Sequence, residues 1–151
     1  MGLEHLSILS PEGTRFVGGA EETVGFGMVG DWPEPLSCEA ALARVKEAFG
    51  LQTVRCSRFT DTPIRRVAMC GGSGSSLIEA ARAAGAQLYL SGDISYHHFF
   101  TPDGIVLMDI GHFESEVEIV DILFSLLRKK FPTFAVRISN ALKDSNPIQY
   151  L

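Results

Sequence analysis

The run Gly104-Ile105-Val106-Leu107-Met108-Asp109-Ile110 shows no alternation of polar and apolar residues. A strand of that composition must be buried on both faces, which confines it to the inside of a sheet covered by helices. Arg66-Val67-Ala68-Met69-Cys70 and Gln87-Leu88-Tyr89-Leu90-Ser91 are two more apolar strands, and each of the three runs into a Gly-containing turn. Strands alternate with helical patterning along the chain. That order predicts an α/β fold: a layered, mixed or largely parallel sheet flanked by helices.

The remaining elements follow from local signals. Ser37 as an N-cap, the stripe Ala41, Leu42, Val45, Ala48 and Phe49, and the stop at Gly50 predict a helix over 38–49. Residues 53–56 read as a short strand, 61–63 as a turn, and 77–84 as an Ala-rich helix closed by Gly85. A short helix or turn over 95–100 carries Tyr96, His97 and His98. Adjacent histidines point in different directions, so at most one of them faces a site. Residues 117–131 predict one long helix with Val117, Val120, Leu123, Phe124 and Leu127 on its apolar face and Pro132 as its stop. A last strand is expected over 134–138, then an extended tail pivoting on Asn146-Pro147. Residues 1–36 are crowded with Gly and Pro. They are expected to be the least regular part, with 1–23 an irregular junction segment and 24–151 an α/β lobe; residues 23–29 within this part read as a glycine-softened strand.

Composition narrows the function classes. The chain has 151 residues, 46% hydrophobic and 21% charged, which suits a globular domain with a real core. A net charge of -5 argues against nucleic acid as a partner. No apolar run is long enough for a membrane span, and no secretory leader is recognisable. The three cysteines, Cys38, Cys56 and Cys70, are widely spaced and form no C-x-x-C pair. Reduced thiols in a cytoplasmic protein are the expectation.

The constellation with most chemistry is Asp109-Ile110-Gly111-His112-Phe113-Glu114-Ser115-Glu116, where the apolar strand turns into a helix. His112 and Glu116 are four apart, so a helix puts both on one face, and an imidazole with a carboxylate can hold a divalent metal. The plainer reading is that Glu114, Glu116 and Glu118 are ordinary first-turn acids facing the helix dipole. Gly71-Gly72-Ser73-Gly74-Ser75-Ser76 between a strand and a helix is either a phosphate-facing loop or a tight turn chosen for packing. Gly72, Gly92-Asp93 and His112 all fall at strand ends, and parallel neighbouring strands would bring the three loops to one edge.

Several of these segments together resemble the Nif-three-like family, also called the GTP cyclohydrolase 1 type 2 homologue family. They are Val67 to Gly74, Gly85-Ala86, Ser91-Gly92-Asp93-Ile94-Ser95-Tyr96-His97, Asp109-Ile110-Gly111-His112, Ser115-Glu116 and Asn146-Pro147-Ile148. The resemblance covers roughly residues 24–150 and is to the C-terminal half of such proteins. It implies one lobe of a two-lobe fold enclosing a dinuclear centre of divalent metal ions (zinc, iron or manganese), with His112 and Glu116 as this lobe's ligands and Glu116 bridging. The ligands of the N-terminal lobe have no counterpart here, so that missing lobe is an implied partner and the isolated chain is expected to be inactive. The implied activity is metal-dependent hydrolysis of a nucleotide or another phosphorylated small molecule, with Asp93 or His97 orienting substrate or moving a proton and Gly72, Ser73 and Gly74 facing its phosphate. The alternative is a metal-binding homo-oligomeric interaction or regulatory module without turnover. A third reading leaves the motifs as structural remnants.

Overall fold

The computed structural model describes residues 1–142 and 145–150. Its elements are β1 (Glu4–Val17), β2 (Ala20–Leu36), α1 (Cys38–Phe49), β3 (Arg55–Cys56), β4 (Ile64–Ser73), α2 (Ile78–Ala83), β5 (Leu88–Gly92), β6 (Val106–Asp109), α3 (His112–Glu116) and α4 (Ile119–Lys130). Short 3-10 turns cover Ser75–Leu77, Tyr96–Phe99 and Asn140–Leu142. The chain divides into two compact units, Met1–Ser115 and Glu116–Leu151. The division therefore falls at the start of the C-terminal helices and not near residue 24.

The first unit is built on one six-stranded sheet in the order β1-β2-β4-β5-β6-β3. Strands β4, β5 and β6 are parallel, while β1, β2 and β3 are antiparallel to their neighbours. The unbroken apolar runs explain the burial. Along β5 and β6, Leu88, Leu90, Val106 and Met108 enter one core with Trp32, Ala41 and Val45. Their sequence neighbours Tyr89, Ile105 and Leu107 enter a second core with Ile78 and Ala81. Side chains alternate across a strand, so a run apolar at every position feeds two cores at once. α1 supplies Ala41 and Val45 to the first core, and α2 supplies Ile78 and Ala81 to the second.

Helix α1 matches its signals residue for residue: the Ser37 hydroxyl accepts from the Ala40 amide at 3.2 Å. The N-terminal expectation is corrected. Residues 1–23 are not irregular; they form β1 and the start of β2, a long antiparallel hairpin whose last pair is Val17 with Ala20. Gly18 and Gly19 fill the two-residue turn with φ of 59° and 88°. Two consecutive positive-φ positions are what a twisted hairpin needs, so glycines that look like breakers are the turn itself.

The second unit contains the helix expected over 117–131 as α4, which starts two residues later, after a turn at 117–118 that separates it from α3. In that turn Val120 N donates to Val117 O and Asp121 N to Glu118 O, each at 3.2 Å. β-branched Val117, Ile119 and Val120 weaken the helix there, and Glu114 with Glu118 is a like-charged i, i+4 pair. Residues 134–138 form no strand among those described. The backbone turns instead, with Phe134 N donating to Phe131 O and Val136 N to Phe134 O. An apolar alternation without a neighbouring ladder does not make a strand. Of the expected apolar face, Val120, Leu123, Phe124 and Leu127 line a groove with Val136, Ile138 and Leu142. The expected tail pivot is present: Ile148 N donates to the Asn146 side-chain carbonyl at 3.1 Å. No helix among the described residues is long and apolar enough to cross a membrane.

Leu88 is fully buried between strands, whereas Phe16 on the hairpin arm is 78% exposed. Leu88→Ala is expected to lower unfolding stability by about 2–5 kcal/mol. Phe16→Ala is expected to change it by less than about 0.5 kcal/mol. Chemical denaturation of both variants checks the contrast.

Candidate functional site

Parallel pairing of β4, β5 and β6 places their C-terminal ends side by side: Ser73 lies opposite Gly92 and Ser91 opposite Asp109. Three connections leave this edge. They follow the segments Gly71–Ser76, Gly92-Asp93 and Gly111-His112 that the strand pattern had sent there, although Gly71–Ser73 closes β4 and only Gly74 onward forms the connection.

The edge is held by hydroxyls and one carboxylate. Ser91 Oγ donates to Gly72 O at 3.1 Å and accepts from Gly74 N at 2.9 Å. The Tyr89 hydroxyl donates to Gly74 O at 2.7 Å. Ser115 Oγ accepts from Gly72 N at 2.8 Å and donates to His112 O at 2.7 Å. The Gly72 and Gly74 amides thus serve the packing of the end of β4 against its neighbours. Asp109, almost wholly buried, accepts from Ile94 N at 3.0 Å and Gly111 N at 3.1 Å. Arg55 Nη1 donates to the same carboxylate at 3.0 Å, and Arg55 Nη2 donates to Ile94 O at 3.2 Å. A buried carboxylate needs such charge-assisted partners to offset its desolvation. The guanidinium also lies 5.1 Å from the Phe99 ring centre, a cation–π contact.

Of the residues singled out from the sequence, the structure joins Asp93 and His112: Asp93 Oδ2 and His112 Nδ1 are 2.7 Å apart. His97 packs edge-on against Tyr96 with ring centres 5.6 Å apart. His98 Nδ1 lies 2.8 Å from Ser95 Oγ, so the two neighbouring histidines do have different surroundings. His112 and Glu116 are the first and last residues of α3, and Glu116 opens the second unit. Ser91, Tyr89, Ser115, Asp109 and Arg55 were not anticipated as parts of the edge. Asp109 had a visible signal, an acid closing an otherwise apolar strand; Arg55 had none, because its partner is 54 residues away.

The donor set bears on the metal expectation. An imidazole and a carboxylate suit zinc, iron or manganese, but a catalytic zinc ordinarily has three protein ligands. Among the described residues no group of three or more His, Cys, Asp or Glu side chains is arranged to hold an ion. His112 and Glu116, four apart along α3, are of the donor types that these ions accept.

The chain belongs to the Duf34/NIF3 (NGG1p interacting factor 3) family, whose profile matches residues 1–147. The match takes in residues 1–23, which are therefore part of the family region as well as of the sheet. Among curated proteins, a GTP cyclohydrolase 1 type 2 homolog of Streptococcus pneumoniae is 33% identical over 135 residues, 84% of this chain and 50% of that protein. One from Mycobacterium leprae is 33% identical over 127 residues, 80% of this chain and 33% of that protein. This chain thus spans half or less of the length of these curated relatives. A Staphylococcus aureus crystal structure superposes with a TM-score of 0.72 at 26% identity, covering 87% of this chain and 39% of that one. A Bacillus cereus protein related to NIF3 shares the fold, with a TM-score of 0.68 at 17% identity over 85% of this chain and 62% of that one.

Burial pushes the Tyr89 hydroxyl up to about 12 from an ordinary value of 10.0, against a smaller opposing effect of its hydrogen bond with Ser91. A group whose folded pKa is raised stabilises the fold fully below its unfolded pKa and loses that contribution as pH rises through the folded one. Stability is therefore expected to fall between about pH 10 and pH 12. Tyr89→Phe should flatten that fall while being less stable near neutrality by about 1 kcal/mol for the lost hydrogen bond. Urea unfolding across this pH range checks both.

Proposed function

We propose that this chain is one lobe of a metal-dependent hydrolase acting on a nucleotide or a similar phosphorylated small molecule. The observation that carries the reading is the convergence of three parallel-strand ends on one edge, with His112 at the start of α3 and Glu116 four residues on. In open α/β sheets this edge is where ligands bind. His112 and Glu116 would hold the divalent metal ions, with the remaining ligands coming from a second lobe. Bound there, such ions activate water and stabilise negative charge that develops on the substrate. Asp93 follows β5 directly, and His97, exposed on the short turn Tyr96–Phe99, is available to orient substrate or move a proton. The Gly72-Ser73-Gly74 segment would form the wall beside the phosphate. The name GTP cyclohydrolase 1 type 2 homolog on relatives at 33% identity supports the nucleotide class.

The second reading is a metal-binding oligomeric module without turnover. The exposed Phe16, Phe26, Tyr96 and Phe100 favour it, since exposed large apolar groups suit assembly surfaces.

The test is turnover by the two-lobe protein loaded with zinc, iron or manganese, assayed over nucleoside triphosphates and phosphoesters. The hydrolase reading expects hydrolysis of at least one, reduced by about 100-fold or more in Glu116→Gln, on the scale of removing a metal ligand or its support. Stoichiometric metal with no turnover on any substrate would overturn it in favour of the second reading.

A further inference from the structure

We propose that Asp93 is the positioning residue for His112: its carboxylate accepts a hydrogen bond from Nδ1–H and so leaves the Nε2 lone pair as the donor that the imidazole offers. The inference rests on the reading of His112 as a metal ligand, but its first test does not involve a metal.

The distance of 2.7 Å between Asp93 Oδ2 and His112 Nδ1 is that of a charge-assisted hydrogen bond. A carboxylate only accepts, so Nδ1 carries the proton, and in the neutral ring Nε2 then carries the lone pair. A carboxylate behind an imidazole in this way fixes both the tautomer and the ring plane and raises the basicity of the ligating nitrogen.

The backbone is arranged to make the pair. Asp93 takes φ of 53°, in the left-handed region that side chains rarely adopt and that Asp tolerates better than most. Its predecessor Gly92 lies so close to the next loop that a Cβ there would stand 2.7 Å from His112 Cα and 2.8 Å from His112 N. Without a side chain at Gly92, the end of β5 can touch the start of α3. The two partners are also held from behind by one group. Asp109 accepts from Ile94 N, the residue after Asp93, and from Gly111 N, the residue before His112. Arg55 joins the same clamp by donating to Asp109 and to Ile94 O. A surface aspartate that met a histidine by chance would not need a strained backbone, a forbidden Cβ and a buried carboxylate bracing both flanks.

The test is nitrogen-15 NMR of the imidazoles at about pH 8, where an ordinary histidine is neutral. The ring signals of His112 are identified among the four histidines by their loss in His112→Ala. The expected wild-type spectrum shows a protonated Nδ1 and an unprotonated Nε2. Asp93→Gly suits the left-handed backbone and removes the carboxylate, so it should fold with an unchanged or higher Tm. In it, His112 is expected to revert toward the Nε2–H tautomer, and zinc affinity to fall about 10–100-fold. Asp93→Asn, which keeps an acceptor without charge, should lie between. A wild-type ring with its proton on Nε2 would overturn the proposal, as would an Asp93→Gly spectrum identical to wild type. A tautomer that changes as expected in a protein that binds no zinc in any form supports the positioning role and removes the metal-ligand reading instead.

Discussion

Asp109 binds four chain segments together through a single buried carboxylate. It closes β6, receives the amides of Ile94 and Gly111, and pairs with Arg55 on β3. Those amides belong to the two connections that carry Asp93 and His112. The position of the candidate site therefore depends on an ion pair that has no direct part in its chemistry. The exposed side of Arg55 packs over Phe99, which ties the 96–99 turn to the same point.

The clamp operates because the sheet beneath it is rigid. β5 and β6 are buried at every position, and their apolar side chains, Leu88 to Leu90 and Val106 to Met108, are each committed to one of two cores. Dense packing on both faces resists displacement, so the strand ends move little relative to one another. Ser91, Tyr89 and Ser115 then fasten the Gly72–Gly74 segment to the neighbouring strand and to α3. Hydroxyls suit this role because each can donate and accept at once.

Much of this was legible in the chain of residues. The apolar runs disclosed the buried strands, and Ser37 and Gly50 disclosed the limits of α1, because in both cases the signal is local. The convergence of Gly72, Asp93 and His112 could be inferred from strand ends once parallel order was assumed. The hairpin was hidden because Gly and Pro in 1–36 were weighed as breakers, although Gly18-Gly19 between two strands is a two-residue turn signal. The segment 134–138 misled in the opposite way: its pattern suits a strand, but a strand exists only beside a partner. Arg55 and Ser91 were invisible as site-building residues because their roles are long-range pairings that no spacing encodes. The Asp93–His112 pair likewise joins residues 19 apart and needed the geometry to be seen.

The proposed metal reading rests on His112 and Glu116, four residues apart along α3. Calorimetric titration of the chain with zinc, beside His112→Ala and Glu116→Gln, tests it most directly. The account predicts saturable, weak binding in the unaltered chain that is lost in His112→Ala and markedly reduced in Glu116→Gln, as suits a site with fewer than three protein ligands. Zinc binding that is indifferent to both substitutions, or no saturable binding at all, would contradict it.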